Sequence, residues 1–294
     1  MELRVLRYFL TVVRVESFTR AAELLHVTQP TLSRQLANLE EKLGTQLLIR
    51  GKRKVSLTDA GRLLLQRAEE ILTLADKTEK EFIDLKNLVG GTIAIGSVEA
   101  MASQVLSELL KAFYDEYPQV SYHIFSGTGD DIKEKIDKGL LEIGILLEPV
   151  NIDDYDFIRL PQKERWGILT KASSPLAQQE SVSSKDLIGV PLLMSARPIV
   201  QNEIASWFAD DYDDLHIVST FTLISNIISL VENGLGTAVC IEGALEIRGS
   251  KDLCFRPFYP ELQSGCVIVW KKHTIMSPTA TRFIQFIKDA LKAS

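Results

Sequence analysis

Amide, hydroxyl and guanidinium side chains are concentrated at the start of one amphipathic segment. Leucines recur in this segment at spacings of four, three and four residues, at Leu32, Leu36, Leu39 and Leu43. This period predicts a helix with one buried face. The opposite face at the start of the helix carries Gln29, Pro30, Ser33 and Arg34. Such groups form hydrogen bonds with base edges and phosphates, so the pattern predicts a helix that contacts DNA with its first turn.

A second, shorter helix is expected to precede this one across a tight turn. Its apolar residues are Ala21, Ala22, Leu24 and Leu25, and Ser17 or Thr19 can cap its start. Thr28 can cap the following helix, and Pro30 fits the first turn, where a missing N–H breaks no hydrogen bond. Further upstream, residues 2–14 predict a supporting helix with an apolar stripe at Leu3, Leu6, Leu10 and Val13.

A basic hairpin is predicted after the helix pair. Segments 46–50 and 54–57 favour two short strands around a turn at Gly51. The cations of this hairpin are Arg50, Lys52, Arg53 and Lys54. Beside a DNA-contacting helix, they are expected to neutralise phosphates or to enter the minor groove. A solvated turn without a DNA contact is the alternative.

A long helix is predicted from Thr58 or Asp59 to about Leu88. Its apolar stripe follows a heptad pattern, at Leu64, Ala68, Ile71, Ala75, Thr78, Phe82 and Leu85. A single helix in water cannot bury such a stripe, so the pattern predicts pairing with the same helix of a second subunit. The alternative is a helix that folds back onto its own chain.

These features together resemble a known family. The segment SFTRAAELLHVTQPTLSRQLANLEEKLGTQLLIRGKRKVSLTDAG, residues 17–61, resembles the DNA-binding segment of LysR-type transcriptional regulators. The resemblance implies an α+β winged helix-turn-helix followed by a linker helix that pairs two subunits. It also implies that Thr28 anchors the recognition helix, and that the following first-turn residues read or flank bases, which are Gln29, Pro30, Thr31, Ser33 and Arg34.

The rest of the chain predicts an α/β domain. Strand-like and helical segments alternate from residue 92 onward, and this order implies a parallel sheet flanked by helices. The segments GTIAIGS, FYDEYPQVSYHIFSGTG and GLLEIGIL resemble the effector-binding region of the same family, which has the two-lobed form of periplasmic binding proteins. The predicted boundaries are 1–58 for the winged helix, 59–88 for the linker, and 89–294 for the effector domain. Lobe I is expected at 89–160 and 268–294, and lobe II at 161–267.

Three turns of this domain are candidate ligand sites. In open parallel sheets, ligands bind at the carboxyl ends of the strands, near helix N-termini. The rule and the resemblance together select Ser97, Val98, Glu99, Ala100, Gly127, Thr128, Ile145, Ser195, Arg197 and Phe221. Arg197 favours an acidic effector, whereas a salt bridge is its structural alternative. Glu99 is unfavourable beside an anion unless its carboxylate turns away or meets a cation.

The charge is divided unequally between the two parts. Residues 1–67 contain twelve Lys and Arg against six Asp and Glu, a balance of +6 within a total of −6. A basic end can bind DNA while an acidic body stays away from it. The start of the chain lacks the apolar core of a signal peptide, and no apolar run is long enough to span a membrane. A cytoplasmic location without membrane contact is therefore expected.

The expected partners are double-stranded promoter DNA, a small polar metabolite, and further copies in a homodimer or dimer of dimers, with RNA polymerase as another candidate. No cofactor and no metal are expected. The cysteines, Cys240, Cys254 and Cys266, lack metal-ligand spacing, so buried thiols are favoured over a redox pair. The pattern does not name the effector, the operator or the regulated genes, and it does not separate activator from repressor.

Three other functions are weighed against regulation. Catalysis is disfavoured because the sequence contains no HExxH, GxSxG or P-loop motif. A transported-solute receptor would fit residues 90–294 alone, but it leaves the DNA-binding segment unexplained. An architectural DNA-binding protein leaves the predicted cleft unexplained. A thermal-shift assay with a panel of metabolites distinguishes a ligand-responsive regulator from an architectural protein. A ligand that binds only the folded state raises the melting temperature.

Overall fold

The computed structural model describes residues 1–51, 54–84, 90–100, 102–245 and 250–293. The chain divides into two compact units, Met1–Lys86 and Asn87–Ser294. The predicted wing residues Lys52 and Arg53 lie outside the described residues, as does the predicted end of the linker at 85–88. Among the described helices, none is both long and apolar enough to cross a membrane.

The first unit contains the predicted helices and hairpin. Its elements are α1 (Leu3–Val15), α2 (Phe18–Leu24), α3 (Gln29–Leu43), β1 (Leu48–Arg50), β2 (Val55–Leu57) and α4 (Asp59–Asp84). Strands β1 and β2 pair antiparallel, which is the expected wing. A single core joins the helices, the wing and the first half of α4.

The buried stripe of α1 is displaced from the predicted one. The buried residues are Val5, Leu6, Phe9 and Val12, while Leu3 is 41% exposed. Leu10 and Val13 are only partly buried. Both stripes repeat at helical spacing, and Phe9, which is fully buried, shows which of them faces the core. The large apolar area of the ring favours that orientation.

In α3, one of the four leucines that were predicted to be buried is exposed. Leu32, Leu36 and Leu39 are buried, as expected, but Leu43 is 43% exposed. The helix ends at Leu43, and Gly44 follows in a left-handed conformation with φ of 68°. The chain therefore turns away from the core after Leu43, and the Leu43 side chain stays exposed.

The first half of the apolar stripe of α4 packs against helices of its own chain. Leu64, Ala68 and Leu72 are buried against the core of the first unit, and an Arg7–Asp76 ion pair joins α1 to α4. The expectation that the whole stripe serves a second subunit is therefore wrong for this half. The predicted later positions Phe82 and Leu85 lie outside what is described of the side chains.

A close backbone contact attaches α4 to the wing. An ideal Cβ on Gly61 would lie 2.1 Å from the Leu47 carbonyl oxygen. Thr58 accepts a hydrogen bond from the Gly61 N–H at 2.9 Å and donates one to the Gln46 carbonyl oxygen at 2.7 Å. Thr58 thus caps α4, as predicted, and only glycine at position 61 leaves room for the approach.

The second unit is built on one large sheet. Its strands are β3 (Gly91–Ser97), β4 (Val120–Ser126), β5 (Ile143–Leu147), β6 (Tyr155–Lys171), β7 (Leu192–Ser195), β8 (Ile217–Phe221), β9 (Thr237–Ile241), β10 (Leu253–Pro257) and β11 (Gln263–Lys271). Its helices are α5 (Ala102–Glu116), α6 (Gly129–Asp137), α7 (Pro198–Phe208), α8 (Ser225–Glu232) and α9 (Pro278–Ala293). Short 3-10 helices occupy Pro175–Gln178, Ser184–Leu187, Ala209–Asp214 and Glu242–Leu245.

Two strands connect the lobes of this unit. The strand order is β4-β3-β5-β11-β6-β9-β7-β8, with β10 paired to β6. Strand β3 is parallel to β4 and β5, and β7 is parallel to β8 and β9, so each end of the sheet has the predicted parallel order. Strands β6 and β11 run antiparallel between these ends. Sequence interpretation assigned only 165–170 to β6 and missed β10 altogether.

Candidate functional site

The start of α3 is held in place by its first side chains. Thr28 is the N-cap, and its hydroxyl accepts a hydrogen bond from the Thr31 N–H at 3.4 Å. The two threonine hydroxyls also lie 2.8 Å apart, within hydrogen-bonding distance. Pro30 occupies the first turn. These contacts fix the direction in which the helix leaves the turn after α2.

The predicted DNA-contacting side chains share the outer face of that turn. Gln29, Pro30 and Arg34 are exposed, and Ser33 is half-buried. On the opposite face, Leu36 is 1% exposed. The helix therefore presents an amide and a guanidinium group outward from its first two turns, with a half-buried hydroxyl between them. The N-terminal residues of a recognition helix are those that contact base edges.

The wing is attached to the helices by two acidic residues that sequence reasoning missed. Glu40 of α3 accepts hydrogen bonds from the backbone N–H groups of Leu47 and Leu48, at 2.8 and 3.1 Å. Lys54 forms an ion pair with Glu16, with Nζ 3.3 Å from Oε1. The predicted phosphate ligand Lys54 therefore already has an exposed carboxylate partner. Of Arg50, the structure describes only the backbone, at the end of β1.

The role of Glu40 can be tested by mutation. Glu40→Ala removes the acceptor of two backbone N–H groups, so it should lower the free energy of unfolding of the first unit by roughly 1–3 kcal/mol. Affinity for DNA should fall with it, because the wing is no longer held beside α3. Thermal unfolding and DNA titration measure the two effects. Glu41→Ala, an exposed neighbour, is the control and should change neither. Unchanged unfolding in Glu40→Ala would show that these hydrogen bonds do not hold the wing.

A cavity of about 90 Å³ lies between the lobes of the second unit. Seven of the ten candidate residues line it. Six come from the three predicted turns, and Phe221 is the seventh; the six are Val98, Glu99, Gly127, Thr128, Ser195 and Arg197. Ser97, Ala100 and Ile145 do not line it, and Ile145 is fully buried in the core. The carboxyl ends of β3, β4, β7 and β8 thus meet at one cavity.

The walls of the cavity are more apolar than predicted. Sequence reasoning missed the residues contributed by β5, β6, β9 and the segment before α8, which include Leu147, Trp166, Leu223, Ile224, Val239, Cys240 and Ile241. The rule about carboxyl ends could have identified those at the ends of β5 and β9. Trp166 carried no such signal, because it lies within a strand that crosses between the lobes.

Two charged contacts cross the cavity between the lobes. Arg197 donates from Nε to Oδ2 of Asp130 at 3.1 Å. Glu99 accepts a hydrogen bond through Oε2 from the Ser225 N–H at 3.1 Å, at the first residue of α8. The carboxylate of Glu99 therefore meets the positive end of a helix dipole, which resolves its unfavourable placement beside an anion site.

Cys240 and Cys266 support the buried-thiol interpretation, whereas Cys254 is half-buried. Burial raises the pKa of the Cys240 and Cys266 thiols to about 12, and all three cysteines are free. The thiolate is the reactive form, and it is scarce at neutral pH when the pKa is that high.

Two family models match the chain. Residues 86–292 match the LysR substrate binding domain, and residues 3–62 match the bacterial regulatory helix-turn-helix protein of the lysR family. The chain belongs to the LysR family. It is therefore a DNA-binding transcriptional regulator with a substrate-binding domain, and the predicted fold, a winged helix-turn-helix with a two-lobed effector domain, is confirmed.

Named LysR relatives cover nearly the whole chain. The Hca operon transcriptional activator HcaR of Escherichia coli strain K12 is 32% identical over an alignment of 298 positions that covers 99% of this chain and 98% of HcaR. Full-length CbnR, solved in complex with its target DNA, has a TM-score of 0.78 at 22% identity, over 98% of this chain and 99% of CbnR. A full-length BenM variant has a TM-score of 0.56 at 26% identity, over 100% and 97%.

Proposed function

We propose that this LysR regulator binds promoter DNA sequence-specifically through α3 and the wing, and that a small molecule in the interlobe cavity changes that binding. The outward-facing first turn of α3 supports the DNA-binding part of the proposal. Gln29 and Arg34 are exposed there, and these residue types pair with adenine and guanine edges in the major groove. Arg50, Lys52, Arg53 and Lys54 are proposed to neutralise phosphates beside them.

A homodimer through α4, or a dimer of dimers, is proposed for the assembly. Leu63 and Leu74 on α4 are 61% and 43% exposed, so the helix has apolar surface left after it packs on its own chain. Two recognition helices one turn of DNA apart would read a near-palindrome. Effector binding would shift the population of dimer geometries and thereby the bend of the DNA.

Other parts of the proposal follow from regulation. The linker is assigned to 59–88 and the effector domain to 89–294, divided at about residues 160 and 268 into its lobes. The chain is proposed to act in the cytoplasm, where promoter DNA lies, with RNA polymerase as a further partner and without catalysis.

Recovery of DNA fragments bound to the protein in cells, followed by sequencing, would identify the operator. Footprinting of that operator with the full-length protein at low salt should then show protection of two half-sites. If no fragment is enriched and no site is protected, the proposed function is wrong. The genes beside the operator would also suggest metabolites to test in the cavity.

Substitution of Thr128 tests its role in effector binding apart from its role in stability. Its hydroxyl accepts a hydrogen bond from the Asp131 N–H at 3.2 Å and donates one to Asp131 Oδ2 at 2.6 Å, so it caps α6 as well as lining the cavity. Thr128→Val should cost about 1 kcal/mol of stability and weaken the effector response. DNA binding in ligand-free buffer should stay nearly unchanged. Thermal unfolding and DNA titration with and without effector measure these effects.

Thr128→Ser is the matched control for that variant, because serine retains the capping hydroxyl. It should keep both the stability and the response. Loss of effector-free DNA binding in Thr128→Val would instead assign Thr128 a purely structural role.

A further inference from the structure

The strongest unexplained group in the cavity is the Arg197 guanidinium. Its side chain is only 11% exposed, and its ion pair with Asp130 uses Nε alone. Nη2 is buried and has no hydrogen-bond partner among the described residues. Nη2 also lies 3.0 Å from an ideal Cβ on Gly129, so the plane of the guanidinium packs on the start of α6. A buried donor without an acceptor is costly, and a cavity ligand that offers one would remove the cost.

The partner of Arg197 can be displaced. Asp130 is 63% exposed in its side chain, so water can solvate its carboxylate if the ion pair opens. A carboxylate from a ligand could instead bind the guanidinium through two parallel N–H···O hydrogen bonds, which is the favoured geometry for this pair. Arg197 would then exchange one hydrogen bond to Asp130 for two hydrogen bonds to the ligand.

A second carboxylate on the ligand would meet a different environment. The other anion-binding group of the cavity, the N-terminus of α8, is already used by Glu99. Ile224 precedes that helix and supplies no side-chain cap, so Glu99 of the opposite lobe takes the place of one. A ligand with a second negative charge would face this fixed carboxylate at short range, without a free cation among the described lining residues to compensate it.

The remaining walls favour an apolar ligand body. Val98, Leu147, Trp166, Val239 and Ile241 line the cavity with aliphatic or aromatic surface. About 90 Å³ of the cavity is open to the centre of a water-sized sphere. One water needs only about 10–15 Å³ of such volume, so the cavity has room for a compact ligand larger than a few waters. Burial of a compact apolar group there would contribute favourably to binding.

We propose that the effector is a monocarboxylate with a compact apolar body, whose carboxylate binds Arg197 in exchange for Asp130. Glu99 acts as an internal anion that excludes dicarboxylates. This inference rests on the proposed function, since it names the class of molecule that the interlobe cavity senses. It assigns Arg197 to ligand binding, Asp130 to competition with the ligand, and Glu99 to specificity.

Calorimetric titration of the full-length protein can test the inference with four probes. Benzoate and 3-methylbutanoate carry one charge on a compact apolar body, benzamide is the neutral isostere of benzoate, and terephthalate adds a second carboxylate. Benzoate or 3-methylbutanoate should bind, at least tenfold more tightly than benzamide and terephthalate. Arg197→Gln should reduce the affinity for the monocarboxylate at least tenfold.

Two further variants make the test independent of misfolding, because each is expected to bind one of the probes more tightly. A misfolded protein would bind the probes less tightly. Asp130→Asn removes the competing carboxylate and should tighten monocarboxylate binding. Glu99→Gln retains an acceptor for the Ser225 N–H but removes the negative charge. The affinity for terephthalate should therefore come closer to the affinity for benzoate. Asp153→Asn, an exposed acid outside the cavity lining, is the control and should change neither affinity.

Equal binding of benzoate and benzamide, unchanged affinity in Arg197→Gln, or binding of none of the probes would overturn the inference. The proposed function fails separately. Monocarboxylates could bind as predicted and yet never alter the footprint on the operator. In that case the cavity binds this class of ligand, but the proposed regulation of DNA binding by the ligand is wrong. If neutral molecules alter the footprint, regulation stands and the ligand class is wrong.

Discussion

Replacement of Leu36 by alanine should destabilise the first unit by about 2–5 kcal/mol, the range for loss of a buried leucine. Leu36 lies in the core formed by α1, α2, α3, the wing and α4, and it is 1% exposed. Its removal leaves a cavity behind the face of α3 that is proposed to contact DNA. Because domains are stable by only about 5–15 kcal/mol, much of the unit's stability should be lost, and DNA binding with it.

Thermal unfolding followed by circular dichroism, together with DNA titration, measures both effects. Leu43→Ala is the matched control, because Leu43 lies on the same helix but is 43% exposed. It should lower stability far less and leave DNA affinity nearly unchanged. Equal effects of the two substitutions would contradict the assignment of Leu36 to the core and Leu43 to the surface.

Arg34→Ala should weaken binding to the operator by roughly 5- to 150-fold, corresponding to about 1–3 kcal/mol for a bidentate base contact. Binding to random duplex should weaken much less, because a base contact contributes only where the correct base is present. Arg34 is exposed on α3 and lies on the face opposite the buried leucines, so its removal should leave the fold unchanged. Titration of the operator and of a shuffled duplex at one salt concentration measures the ratio.

Arg67→Ala is the control for charge, since it removes one exposed cation from α4 rather than α3. It should change the two affinities by similar, small factors. If Arg34→Ala weakened both duplexes equally and reduced the salt dependence of binding, Arg34 would be a phosphate ligand instead of a base reader.

Local sequence signals predicted the first unit well where a single residue type carries the physical reason. Thr28 caps α3 and Pro30 lies in its first turn, as expected from their backbone preferences, and Gly44 ends the helix. The same signals did not predict the role of Glu40, because a glutamate within a helix has no local feature that marks it as the acceptor for backbone N–H groups seven and eight residues away.

Periodicity was a weaker guide to which residues are buried. The predicted stripe of α1 was displaced because two sets of apolar residues fit the same period, and only packing against α3 and α4 distinguishes them. On α4, Leu64 and Ala68 are buried as the predicted stripe requires, whereas Leu72 is buried in place of the predicted Ile71, which is half-buried. Leu64, Ala68 and Leu72 pack on their own chain, which a stripe cannot reveal, since it shows that a face is buried and not what covers it.

The sequence alone determined that this chain carries a basic winged helix-turn-helix ahead of an acidic, two-lobed α/β domain. Caps, glycines, apolar periods and the LysR-like segment 17–61 are local, and each acts through the chain around it. Only the tertiary structure decided that Glu99 caps α8, that Asp130 holds Arg197, and that apolar side chains from β5, β6 and β9 form the walls between them. These contacts join residues far apart in the chain, so their chemistry exists only once the sheet has brought the strand ends together.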